Sequence, residues 1–141
     1  MFIAQSASKR RRKPSLRRSG AATVELAMIL PMFLVLALGT IELCQYFFLR
    51  QSAAIVAYEG ARLAVRSRVD ASMVRNRCET MLEQRRIAGG TVTVTPDNLL
   101  SLPSASQVEV RIEVPHAQNS PTFFVLRNAG TITVSATMLR E

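Results

Sequence analysis

A single uninterrupted apolar segment near the N-terminus constrains the fold of this chain more than any other feature. Between residues 21 and 41 the only charged side chain is Glu25. Twenty-one helical residues rise about 31 Å, which matches the hydrocarbon thickness of a bilayer. The segment is apolar on all sides, and a chain of 141 residues has too little left over to wrap it. Aromatic residues 46–48 then suit a membrane interface, so we predict a transmembrane helix over residues 21–49.

A basic arm precedes this segment. The chain carries a formal net charge of +8, and seven of its 18 Lys and Arg residues lie in the first 20 positions, which contain no Asp or Glu. The seven are Lys9, Arg10, Arg11, Arg12, Lys13, Arg17 and Arg18. Because positive charge favours the cytoplasmic side of a span, we predict that residues 1–20 are a cytoplasmic leader and that the rest lies outside. Nucleic acid is a poorer partner, since no aromatic side chain lies between Lys9 and Arg18 to stack on bases.

The composition argues against an enzyme and against a metal or cofactor site. His116 is the only histidine, and Cys44 and Cys78 form no CxxC pair. We expect His116 to lie in a solvated loop and both cysteines to act as small apolar helix residues. A straight helix would hold the two cysteines about 50 Å apart, which excludes an intrachain disulfide.

Apolar and small residues at spacings of three and four continue beyond the span. They predict that the helix extends outside the membrane over residues 50–88 and stops at Gly89. Pro31 removes a backbone donor inside the span and predicts a kink there. Glu59 and Arg62 are spaced to pair on the exposed side, where they form either a solvated pair of little net energy or a contact between subunits.

The last 53 residues change to a period of two. Apolar and polar residues alternate from Val92 to Val94, from Val108 to Val114 and from Ile132 to Met138. These runs predict three half-buried strands, whose apolar face needs the helix as a cover. Residues 123–126 either fill the gap or form a fourth short strand. The predicted fold is α+β: a long helix whose first half spans the membrane and whose second half packs on a small antiparallel β-sheet within residues 89–141.

The junction between arm and span carries the chemistry. Glu25 near the start of a span costs about 2.5–3.5 kcal/mol at worst, so a partner is expected. Two interpretations stay open. Either Glu25 reaches back into the lipid head groups, or the chain is cut after Gly20 and the new α-amine of Ala21, largely protonated at neutral pH, supplies the missing cation.

The junction resembles the class III signal sequence of type IV prepilins and pseudopilins. More specifically, GAATVELA at residues 20–27, followed by ILP at residues 29–31, is similar to the TadE-like proteins, which are minor pseudopilins of tight-adherence (Flp-type) pilus systems. The EGAR segment within residues 57–64 and the alternating residues 134–138 extend the resemblance. Leu26 stands where the major Flp pilins carry Tyr, which favours a minor pseudopilin.

This resemblance implies a non-enzymatic, pilin-like protein of a pilus assembly or secretion system, anchored in the bacterial inner membrane. In the family a prepilin peptidase cuts after the glycine, here Gly20, and the glutamate, here Glu25, takes part in assembly. The implied partners are the lipid bilayer, the peptidase, other pilins or pseudopilins and membrane platform proteins, and no cofactor is implied.

Two alternatives fit the same residues. The chain is an uncleaved, single-pass signal-anchored protein whose outer domain binds a surface partner, or ordinary signal peptidase cuts before Thr40, where Ala37 and Gly39 are suitably small. Glu25 and Pro31 weaken the second alternative because they interrupt the apolar segment.

Overall fold

The computed structural model describes residues 16–120 and 130–140, with side chains from residue 20 onward. The elements in chain order are α1 (Leu16–Ala64), α2 (Ala71–Gln84), β1 (Thr91–Thr95), β2 (Gln107–Pro115), α3 (His116–Asn119) and β3 (Thr131–Leu139). One compact unit ends at Leu36 and a second begins at Ala37, so α1 contributes to both. The segment 123–126 and the arm residues 9–13 lie outside the described residues.

In the first unit, α1 presents apolar side chains on every side. All residues from 20 to 36 are exposed, and α1 is long and apolar enough to cross a membrane. It begins at Leu16, five residues before the predicted start, and continues through Pro31 as one helix. A helix with no polar face is suited to lipid rather than water, so the predicted span is present in the structure as a single helix.

The predicted extension of this helix to residue 88 is wrong, because α1 ends at Ala64. The chain turns through residues 65–70, where Arg68 adopts a left-handed φ of 65°, and α2 follows Asp70. A straight extension would have left the apolar face of the next segment in water. The turn instead buries that face, which consists of Ala71, Val74, Cys78 and Leu82.

The end of α2 also differs from the prediction that placed the helix stop at Gly89. The N–H of Arg86 donates to Glu83 O at 2.8 Å and the N–H of Ile87 donates to Leu82 O at 2.9 Å, which is the paired arrangement of a Schellman motif. Arg86 has a φ of 57° at the position that glycine usually occupies. A left-handed conformation costs a non-glycine residue about 1–2 kcal/mol. Glycine at position 86 would therefore make this helix end more stable than arginine does.

The three predicted strands are confirmed and form an antiparallel sheet in the order β1-β2-β3. Val94 faces Val110 across the first pair, and Ile112 faces Val134 across the second. The central strand has the clearest alternation, with every second side chain fully buried: Val108, Val110, Ile112 and Val114. The α+β fold class predicted from the change in period is therefore confirmed.

The core of the second unit forms where α1, α2 and the sheet meet at Gly60. A Cβ atom added there would lie 2.5 Å from Cys78 Sγ and 3.2 Å from Val110 Cγ1. Its neighbours on the same face of α1 are fully buried alanines at positions 57, 61 and 64. The small residues of the EGAR region thus allow one helix to contact another helix and a strand at the same level.

We predict that Gly60→Ala lowers the free energy of unfolding by about 1–3 kcal/mol, because the added methyl group overpacks this contact. Urea denaturation of the full chain in detergent measures the change. Gly20→Ala is the matched control, since a Cβ at Gly20 meets nothing within 4 Å. In a Cys78→Ala background the cost of Gly60→Ala should shrink; an unchanged cost would contradict the proposed clash.

Candidate assembly surface

The junction residues lie on an exposed stretch of α1. Gly20, Ala21 and Glu25 are all exposed, and four helical residues separate the positions of Ala21 and Glu25 by about 6 Å along the axis. Residues at that spacing share a face of a helix. A Cβ atom at Gly20 would have no neighbour within 4 Å, so the packing within this chain does not require glycine at that position.

Glu59 and Arg62 form the exposed pair that their spacing predicts. Arg62 Nη1 lies 3.9 Å from Glu59 Oε1, and their side chains are 44% and 60% exposed for Glu59 and Arg62, respectively. An ion pair this long and this exposed contributes little to folding stability. In the EGAR segment, therefore, Gly60 and Ala61 pack inward while Glu59 and Arg62 are left accessible to another molecule.

The fold surrounds that pair with further positive charge. A groove of about 430 Å³ between α1 and α2 is lined by four arginines, at positions 62, 66, 77 and 85, together with a single carboxylate, Glu59. Sequence reasoning missed this basic groove because a straight helix would have separated residues 62 and 85 by about 35 Å. The turn at residues 65–70 brings them to one surface.

A buried polar group at the base of the second unit was also missed. His116 is only 2% exposed, which makes the predicted solvated loop wrong, and its ring lies 5.7 Å from that of Tyr46. Ser120 Oγ donates to Gln45 Oε1 at 3.4 Å. Within the part of the chain that the structure describes, Nε2 of His116 is buried without a hydrogen-bond partner. These contacts join α3 to α1.

Glu42 belongs to the same region and is completely buried. A signal for it was present in the sequence. Leu49, Ala53, Val56 and Gly60 are buried on one face of α1, and stepping back seven residues from Leu49 reaches Glu42. The buried face of α1 therefore begins with a carboxylate, at the point where the run of uncharged residues ends.

Both cysteines are free, and the reason differs from the one predicted. Cys78 Sγ lies 3.9 Å from Val56 O, so α2 folds back along α1 and the expected separation of about 50 Å is wrong. Cys44 is twelve residues before Val56, about 18 Å along α1, which still exceeds the reach of a disulfide. Both cysteines lie in helices, and Cys78 is buried whereas Cys44 is exposed.

This surface has the character of a binding site. Among the described residues, no three His, Cys, Asp or Glu side chains are grouped so that they could hold a metal ion. What the structure offers is an apolar helix with one carboxylate near its start, and an arginine-lined groove farther along the same helix. Such features recognise other helices, lipids and acidic groups.

The model of the TadE-like protein family matches residues 20–62. These residues are TadE-like. The match begins at the junction glycine and ends at Arg62, which confirms the resemblance over that range of α1. The match covers 43 of the 141 residues, so it shows a likeness of this part of α1 to the TadE-like family. The chain has no significant match to a curated protein or to a solved structure.

Cys78 provides a test of the packing that carries the TadE-like EGAR segment. Burial, assisted by the charge of Glu79 and opposed by Arg77, raises the pKa of the Cys78 thiol from 9.0 to about 11. The neutral thiol therefore contributes stability that is complete below pH 9 and is lost as the pH rises toward 11.

We expect Cys78 in a Cys44→Ser variant to be alkylated by N-ethylmaleimide at pH 8 about a hundredfold more slowly in the folded chain than in urea. Between pH 9 and 11 the free energy of unfolding should fall less in the Cys78→Ala variant than in the wild-type chain, because the variant has no thiol to ionise. Equal alkylation rates in the folded and unfolded chains would show that the contact with Gly60 is open.

Proposed function

We propose that this chain is a minor pseudopilin of a tight-adherence pilus system and that it acts in assembly rather than catalysis. In this proposal it is anchored in the bacterial inner membrane with residues 1–20 in the cytoplasm, and a prepilin peptidase cuts after Gly20. The observation that carries the proposal is the TadE-like match starting at Gly20, on an exposed apolar helix with Glu25 near its start.

Cleavage would give Glu25 an ionic partner. The α-amine of Ala21 is positive at neutral pH and lies one helical turn from Glu25, or beside the Glu25 of a neighbouring subunit packed in parallel with a small stagger. In the low dielectric of a membrane, such a charge pair is far stronger than in water. A pair between subunits would fix the axial position of one helix relative to the next.

The second contact proposed for assembly is the basic groove with Glu59 and Arg62. Arginine presents a planar fork of donors that binds carboxylates in a bidentate manner. Four arginines against one carboxylate leave this groove with excess positive charge, which favours an acidic segment on a partner subunit or on a membrane platform protein. The proposal therefore has two contacts, one in the membrane and one outside it.

The uncleaved signal anchor is a second candidate that one observation favours. Because α1 begins at Leu16, the peptide bond between Gly20 and Ala21 lies inside a helix. A peptidase needs that bond in an open conformation, so the helix must unwind locally before cleavage. Glycine makes unwinding easier, since it is about 1 kcal/mol less favourable in a helix than alanine.

We predict that Gly20→Ala lowers the processed fraction at least tenfold, because alanine stabilises the helix and places a methyl group in the peptidase cleft. Intact-mass spectrometry of membrane-extracted protein, co-expressed with a prepilin peptidase, measures that fraction. The wild-type chain should begin at Ala21. A wild-type chain that keeps residues 1–20 in its native cells would overturn processing and support the signal anchor.

We expect Glu25→Gln to be processed normally but to retain about a tenth or less of the wild-type amount of partner subunits, because a hydrogen bond to a charged group contributes about 1.5–3 kcal/mol. Co-purification after crosslinking in membranes measures this amount. Glu79→Gln, which removes an exposed carboxylate of α2, is the matched control. Assembly unaltered in Glu25→Gln would remove the proposed role of that carboxylate.

A further inference from the structure

A second groove of the second unit, here called the lipid groove, has a volume of about 710 Å³ and lies between α1 and the end of α2. One wall is apolar and includes Ile41, Cys44 and Phe48 of α1. Arg85 and Arg86 line the other wall. The volume is within the range of small-molecule sites, and an apolar wall with a few converging polar groups is typical of them.

The conformation of Arg86 points to a role in ligand binding rather than in folding. Its φ of 57° is one that glycine adopts without strain, and the Schellman hydrogen bonds of Arg86 and Ile87 involve only their backbone N–H groups. The arginine side chain therefore adds nothing to the helix stop itself. A strained residue that lines a groove is a reason to look for a ligand.

Asn119, which also lines the groove, fixes the backbone that follows the two arginines. The N–H of Ala88 donates to Asn119 Oδ1 at 2.7 Å, and Asn119 Nδ2 donates to Ala88 O at 2.9 Å. Asn119 Nδ2 also donates to Pro115 O at 2.9 Å. The backbone next to the two arginines is thus anchored at Ala88, and an ordered backbone loses less entropy on binding.

The apolar wall of the groove consists of exposed residues of α1. Ile41 is 50% exposed and Phe48 is 64% exposed, and both lie within the stretch Gly20–Ala64 of α1, which is long and apolar enough to cross a membrane. The described residues that line the groove include no Asp or Glu. The groove therefore combines an apolar wall, which belongs to a helix long and apolar enough to cross a membrane, with two positive charges that no carboxylate of its described lining compensates.

We propose that this groove binds one anionic phospholipid of the phosphatidylglycerol class. The phosphate accepts hydrogen bonds from Arg85 and Arg86, and an acyl chain lies along Ile41, Cys44 and Phe48. Guanidinium groups bind phosphate in a bidentate manner, and basic pockets beside membrane helices recognise anionic head groups. The inference needs α1 to lie in a membrane but does not need cleavage after Gly20. Arg85 also lines the basic groove, so Arg86, which lines only the lipid groove of the two, distinguishes the lipid site from the assembly contact.

The test uses the full chain in detergent, to which phosphatidylglycerol or phosphatidylcholine is added at equal concentration. Native mass spectrometry then measures the fraction of protein that retains one lipid. We expect the wild-type chain to retain phosphatidylglycerol preferentially. Arg86→Gly should weaken this retention about fivefold, which is the effect of one arginine near a membrane surface, while the midpoint of thermal unfolding stays equal or rises.

Arg68→Gly is the matched control. Arg68 also has a left-handed φ, of 65°, and the substitution removes the same charge at the opposite end of α2, outside the lipid groove. Retention should be unchanged in this variant. An equal loss in both variants would show that the lipid responds only to net charge, and equal retention of the two lipids by the wild-type chain would also overturn the proposal.

Two further outcomes would assign the groove to another occupant. If inorganic phosphate at millimolar concentration displaces the lipid completely, the arginines form an anion site without lipid specificity. If mild oxidation of the protein in membranes links two chains quantitatively through Cys44, the groove is covered by a second copy. Either result would overturn the lipid assignment without bearing on Gly20 processing.

Discussion

The close contact at Gly60 is the constraint on which the rest of the second unit depends. Three elements meet there, and none of them has room for an additional methyl group. Because α1 is narrow at this point, α2 and β2 can both contact it, and the buried face of the sheet is covered by two helices instead of one. The alanines at positions 57, 61 and 64 extend the narrow face by one turn in each direction.

This packing explains why the chain turns back after Ala64. A sheet of three short strands has too little apolar surface to fold alone, and a single helix face covers only part of it. Returning α2 along α1 adds a second apolar face, and the same return brings arginines 77 and 85 to the side of arginines 62 and 66. The basic groove is thus a consequence of how the core is completed.

The sequence was sufficient to predict the elements whose signal is periodic. The apolar run predicts the first half of α1, and the alternation around Val110 predicts the central strand with its buried face. The turn at residues 65–70 was missed because the apolar spacing continues across it and no glycine or proline marks it. The end of α2 was missed for a related reason: Arg86 takes the left-handed position, while the nearby Gly89 gives the more conventional signal.

The candidate surfaces also differ in how far the sequence predicts them. The sequence suggests Gly20, Ala21 and Glu25 as candidates because their proposed roles depend only on order along one helix. It does not suggest Arg85 and Arg86, because their proposed role depends on which part of α1 lies opposite. The TadE-like match ends at Arg62, yet the residues that require glycine at position 60 are Cys78 and Val110, both beyond the match. A chain with different residues at these two positions can therefore keep the EGAR segment only if another close contact replaces them. We infer that the small residues of the EGAR segment serve to pack α1 against α2 and the sheet. Its charged residues, Glu59 and Arg62, remain accessible to a partner.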